Sequence, residues 1–154
     1  MLRLTLFLLA SLIAARADEL PSRKYLNLAA IKTMVAAAEA EMQKRNVQVT
    51  ICIVDETGNL LFFQKGDRAG MTTVTFAQKK ARHAAIYGRA SRTSAESLKG
   101  GNMSVLAYPD AFPDQGGVPI QVDGLTIGGI ATSGAASAID EAIAQAAVDA
   151  LLKK

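Results

Sequence analysis

The 154-residue sequence has no tryptophan, one cysteine and one histidine, and aromatic residues make up only 5% of it. Each scarcity removes a class of function. A single cysteine cannot close an intramolecular disulfide, and Cys52 lies in an alternating apolar stretch that reads as a buried, inert thiol. Without a Cys/His cluster there is no structural zinc site. No basic run is present either, and with so few aromatics to stack on bases this excludes nucleic acid as the expected partner. The nucleophile elbow G-x-S-x-G is missing: Ser133 sits in Ala131-Thr132-Ser133-Gly134-Ala135, which reads as a tight strand-to-helix turn. The glycines between Gly124 and Gly134 match neither the dinucleotide fingerprint nor a P-loop with its lysine. Gly128 and Gly129 instead suggest a place where another backbone approaches closely.

Half of the residues are hydrophobic, enough for one core, and the length suits one domain. Much of that apolar content is alanine, which packs closely but fills little volume. Burial between subunits is the usual compensation, so a homo-oligomer is expected.

The N-terminus reads as a secretory signal over residues 1–17. Arg3 precedes the apolar run Leu4–Ile13, Ala15-Arg16-Ala17 supplies a small-x-small cleavage pattern, and Asp18-Glu19 begins a polar region. The run is shorter than the roughly 20 residues that span a bilayer, and no cysteine follows it to carry a lipid. A short anchor is the alternative; after cleavage no stable membrane insertion is expected. Cleavage removes Arg3 and Arg16 and no acidic residue, so the formal net charge falls from +3 to +1. Residues 18–154 form the expected domain, periplasmic or extracellular.

Along that domain Asn27 is an N-cap, with Leu26 and Ile31 as a hydrophobic staple. Leu28, Ile31, Val35, Ala38 and Met42 then recur at helical spacing to about Arg45, and Asn46 closes the helix. Val47–Ile53 alternates as a strand, Asp55–Asn59 turns, and Leu60–Gln64 returns. Thr72 to Tyr87 reads as a second helix capped by Thr72 or Thr73, with Val74, Ala77, Ala81 and Ala84 as a narrow packing face. Ser91–Gly117 reads as a loop with a helical turn near Ser94–Lys99, long enough to suggest function or a partner. Val118–Val122 and Leu125–Ala131 flank an Asp123-Gly124 turn, and Ser137 with Asp140 caps a last helix. The expected fold is α+β: an antiparallel sheet of four or five strands flanked by helices, in a single compact domain.

The sole histidine, His83, falls on the second helix in line with Phe76, Lys80 and Tyr87, at the edge of the packed face. Lys79, Lys80, Arg82 and Arg89 surround it in sequence. An imidazole beside apolar surface, rimmed by cations, suits an iron porphyrin: iron on His83, propionates near Lys79, Arg82 or Arg89, and Tyr87 against the ring. Met103, in a Gly-Gly-Asn-Met loop, is a candidate second axial ligand.

Four stretches sharpen this. They are Val54–Leu60, Ala77–Ala85, Gly116–Ile120 and Gly128–Ala135 followed by Asp140. In this order and spacing they resemble the GlcG/HbpS-like haem-binding family, which includes the C-terminal domain of PduO-type proteins. The resemblance covers about Leu26 to Leu152. It implies an antiparallel sheet flanked by helices, assembly into homo-oligomers, and haem binding in several members, with haem degradation proposed for some. In the family pattern lysine, alanine, any residue, threonine, alanine, the threonine is associated with the haem site. Here Lys80-Ala81-Arg82-His83-Ala84 places His83 there, a far better iron ligand than a hydroxyl. A second departure, Ala131-Thr132-Ser133-Gly134 where the family more often has glycine, valine, serine, glycine, affects local packing. The expected function is that of an exported haem-binding protein, a carrier, scavenger or sensor component. One alternative is an enzyme acting on haem or a small organic ligand in the same pocket; another is a cofactor-free interaction module.

Overall fold

The computed structural model describes residues 21–153, so the signal expected at residues 1–17 lies outside the described residues. Helix α1 spans Leu28–Lys44, and the Asn27 side chain accepts the Ala30 N–H at 2.8 Å. Leu26 and Ile31, the staple pair, are both buried. Asn46 ends the helix with a φ of 53°, in the left-handed region that asparagine tolerates better than most residues. Strand β1, Thr50–Asp55, starts later than the alternation from Val47 suggests, because the Val47 N–H still bonds the Met42 carbonyl at 3.1 Å.

The Asp55 carboxylate then accepts the N–H groups of Thr57 and Asn59, each at 2.9 Å, and this turn delivers β2, Leu60–Lys65. Helix α2 covers Thr73–Tyr87 and stops at Gly88. Strands β3, Gly117–Val122, and β4, Leu125–Ser133, flank the turn Asp123-Gly124. Both turn residues have positive φ, 52° and 77°, as a two-residue hairpin requires. The sheet has four strands in the order β2-β1-β4-β3, every pair antiparallel.

Three local expectations change. The segment after Ala90 is more ordered than a loop: α3 spans Ser91–Lys99, followed by a 3-10 turn over Met103–Ala107. The buried face of α3 is Ser91, Ser94 and Ala95, so no apolar stripe marks it in sequence. Helix α4, Ser137–Leu152, starts from Ala136 with no side-chain cap. Ser137 instead points its hydroxyl at Asp114 at 3.4 Å, and Asp140 receives the Ala135 N–H at 3.0 Å. Neither Thr72 nor Thr73 caps α2; the Thr73 hydroxyl donates to the Gly70 carbonyl at 2.6 Å.

Central strand β1 is buried on both faces. Ile51 and Ile53 join Met34, Ala38, Ile120, Ile130 and Ile143 in the main core, under α1 and α4. Cys52 and Val54 face the other way, into a thinner layer with Ala77, Ala81, Ala85 and Ala131. Only small residues line α2 there, and its backbone reaches the sheet. A Cβ on Gly129 would lie 2.4 Å from the Ala81 carbonyl oxygen, and one on Gly117 2.3 Å from that of Lys80. The close backbone approach expected near Gly128 and Gly129 is therefore made by α2 at Gly129, and by the Val54 carbonyl of β1 at Gly128. The outer side of α2 is left to face the loop that follows the 3-10 turn.

Candidate functional site

Helix α2 presents Phe76, Lys79, Arg82, His83 and Tyr87 towards residues 108–114, and that segment lies back over them. His83 is fully buried, at 0% exposure. Its Nδ1 accepts the Phe112 N–H at 2.9 Å, and its Nε2 meets the Ser94 hydroxyl of α3 at 3.3 Å. A backbone N–H can only donate, so Nδ1 carries the lone pair and the ring proton sits on Nε2, donated to Ser94. Burial, and then the nearby Arg89 cation, push the His83 pKa down to about 4. The imidazole is thus held neutral, the form that binds a metal. The expectation of an open imidazole at the edge of the packed face is corrected: the ring lies beneath Phe112 with both nitrogens engaged.

Around it the ties are dense. The Tyr87 ring stands 5.0 Å from the His83 ring, and its hydroxyl donates to the Pro109 carbonyl. Arg82 bonds Asp110 Oδ1 through Nε at 3.1 Å and Nη2 at 3.0 Å, and bonds the Gly58 carbonyl at 2.7 Å. The Lys79 ammonium lies 5.5 Å from the Phe112 ring centre, and Phe76 meets that ring edge-on at 5.2 Å. Arg89 covers the Tyr87 ring at 5.5 Å. Met103 does not join them: it is 64% exposed on the 3-10 turn, and neither nitrogen of His83 has it as a partner.

Between α2 and this segment lies a cavity of about 450 Å³, lined by Thr75, Gln78, Lys79, Arg82, Asp110 and Phe112 among others. It falls within the usual span of small-molecule sites, roughly 300–1,000 Å³. Three clefts of about 390, 410 and 400 Å³ lie elsewhere, under residues 22–26. Two charge pairs close across that end, Arg23 with Glu56 and Lys24 with Asp123, which leaves it less suited to an ionic ligand. Among the described residues no three His, Cys, Asp or Glu side chains converge. A lone imidazole suits a metal that arrives with its own ring of ligands.

One group escaped sequence reasoning. Lys80, read as part of the cationic rim, is only 1% exposed. Its ammonium bonds Asp114 at 2.8 Å and Asp140 at 3.5 Å. Burial raises the Asp140 pKa, against the Ala135 N–H and the Lys80 charge, which favour the carboxylate. This cluster ties α2 to α4 and to the end of the 108–114 segment. A lysine flanked by alanines, Ala77 and Ala81, was the available signal. Asp110, Phe112 and Ser94 carried none, because each meets His83 or Arg82 only through the folded chain.

Comparison with known proteins gives the context. The sequence model of the family described as haem degrading protein HbpS-like matches residues 26–149. Protein GlcG of Escherichia coli strain K12 is 33% identical over 100 residues, covering 65% of this chain and 75% of GlcG. The crystal structure of a double mutant of HbpS from Streptomyces reticuli superposes with a TM-score of 0.79 at 29% identity, covering 94% of this chain and 99% of that one. The crystal structure of the PduOC:Heme complex superposes with a TM-score of 0.76 at 25% identity, covering 82% of this chain and 95% of that one.

Proposed function

Since this chain belongs to the HbpS-like family, we propose that it is a haem-binding protein whose iron ligand is His83. Haem in the PduOC complex and the family match support haem as the ligand. The observation that carries the ligand choice is the neutral, oriented imidazole. His83 holds a lone pair on Nδ1, and its Nε2–H is directed at Ser94. Metal-bound histidines are normally fixed by such a bond from the other nitrogen.

The surrounding residues fit the group. Lys79 and Arg82 are cations for propionates, with Arg89 beyond Tyr87; Phe112, Phe76 and Tyr87 offer apolar faces. When bound, haem supplies a redox-active iron whose behaviour the axial ligand tunes. The protein's own share is to hold the imidazole neutral, orient it through Ser94 and shield it from water. Export through the signal over residues 1–17 and assembly into a homo-oligomer complete the reading; the sequence pattern and the alanine-rich core support them.

Haemin titration followed by absorbance tests it. A saturable Soret shift is expected, reduced at least ten-fold in affinity or converted in spectral type by His83→Ala and His83→Gln. A shift that both variants retain unchanged would remove His83 as ligand. Loss of the Soret band under reductant in the loaded protein would instead favour the enzyme alternative.

A further inference from the structure

Residues 109–113 lie directly across the imidazole that the haem reading requires, and the way they are held is uneven. Both ends of the segment are fastened by buried contacts. On one side Val105 of the 3-10 turn is buried. On the other, the Asp114 carboxylate bonds buried Lys80 at 2.8 Å, and its carbonyl accepts the Ser91 hydroxyl at 2.6 Å. Ser91 in turn accepts the Gly117 N–H at 2.9 Å.

Between those anchors the Phe112 ring packs on Phe76 and Lys79 of α2, and the polar ties to that helix are mostly exposed. The Arg82–Asp110 pair is 38% exposed on each side, where ion pairs hold little. Tyr87 reaches Pro109 at an exposed position. The Phe112 N–H on His83 Nδ1, at 2.9 Å, is part-buried. Asp110 also sits at a φ of 56°, in the left-handed region that aspartate enters more readily than most residues. A short segment with anchored ends, mostly exposed polar ties and one part-buried hydrogen bond to the imidazole can lift as a unit.

We propose that residues 109–113 are a lid that must lift to free Nδ1 of His83, and that the Arg82–Asp110 pair sets how often it does. This rests on the haem reading above. A closed majority lowers the apparent affinity by the fraction open, so loosening the lid raises it. Nε2 keeps its bond to Ser94 throughout, because α3 is not part of the lid.

The test uses Asp110→Asn in the full protein, with two readouts. Amide exchange at Phe112 in the haem-free protein reports opening directly, and stopped-flow haemin association reports access. Both rates are expected to rise together by about two- to five-fold, the range for losing an exposed ion pair. Exchange at Ala81 and Ala84 in α2 is expected to stay slow. Faster haemin association with unchanged Phe112 exchange would mean that the lost carboxylate acts only on the propionate charges, and the lid would fall. Faster exchange without faster association would also overturn it. If His83→Gln binds haemin as the unaltered protein does, the ligand assignment itself has failed, an outcome separable from the exchange data.

Discussion

A buried ammonium between two carboxylates raises the question of what each charge costs when left alone. Lys80 is nearly inaccessible and Asp140 is 3% exposed at its side chain, whereas Asp114 is 36% exposed. Replacing Lys80 with methionine keeps most of the volume and leaves Asp140 in the interior without its cation. Breaking such a pair from one side costs about 3–5 kcal/mol, and Lys80→Met is expected to lose stability on that scale in urea unfolding. The Asp114→Asn change, at the wetter partner, should cost clearly less. Equal losses would mean that the contact with Asp114, rather than burial of Asp140, sets the cost.

His83 adds a pH dependence to the haem-free protein. Its folded pKa lies near 4 and that of an unfolded histidine near 6.5. Between those values the unfolded chain takes up the proton first, so stability falls as pH drops from about 6.5 to 4, by up to about 3 kcal/mol, and is unaffected above that window. Thermal unfolding of the haem-free protein should show this slope, and His83→Gln should flatten it. An equally steep slope in the variant would assign it to other groups.

At the scale of elements, the contact between α2 and β4 leaves no room for added volume. Gly129 faces the Ala81 carbonyl and the Ala85 N–H, which a Cβ would approach to 2.4 and 2.8 Å. Both neighbours are helix backbone and cannot rotate away. The Gly129→Ala variant must push α2 off the sheet, an overpacking cost of about 1–3 kcal/mol or more, and the displacement should also loosen His83. A melting temperature unchanged from that of the parent protein would show that the layer can expand.

That contact was partly legible in the sequence, since paired glycines beside an alanine-faced helix suggest close approach. Signals that act within a few residues were legible in full: the Asn27 cap, the Asn46 stop and the two hairpin turns. What escaped depended on distant partners. Ser137 looks like a cap, yet Asp114 competes for its hydroxyl. Helix α3 hides behind a buried face of serine and alanine. Lys80 reads as a rim cation and His83 as a residue at the edge of the packed face, because Asp140 and Phe112, which enclose them, come close only in the fold. The family resemblance singles out the motif around His83, which the fold places beneath residues 108–114.

For the whole molecule, the proposed export and assembly each make a demand, one on the thiol and one on the surface. Tyr25, Leu125 and Leu152 are exposed and, with Leu61, line clefts that all include Arg23. An apolar belt of this kind favours burial against another copy. Light scattering of the purified protein should therefore give at least twice the chain mass, and Leu125→Glu should lower it; a monomer at tens of micromolar would exclude assembly through this end. Cys52 is fully buried in the alanine layer, and burial alone pushes its pKa up to about 12, so almost no thiolate exists at neutral pH to attack or be oxidised. The lone cysteine is thus compatible with an oxidising compartment. Expressed from Met1 in an export-competent bacterium, the protein is expected outside the cytoplasm with Asp18 as its first residue by intact mass, one free thiol on denaturation, and no disulfide-linked dimer on a non-reducing gel. Recovery of the chain only in the cytoplasm, still carrying Met1–Ala17, would overturn the export reading and leave the haem site untouched.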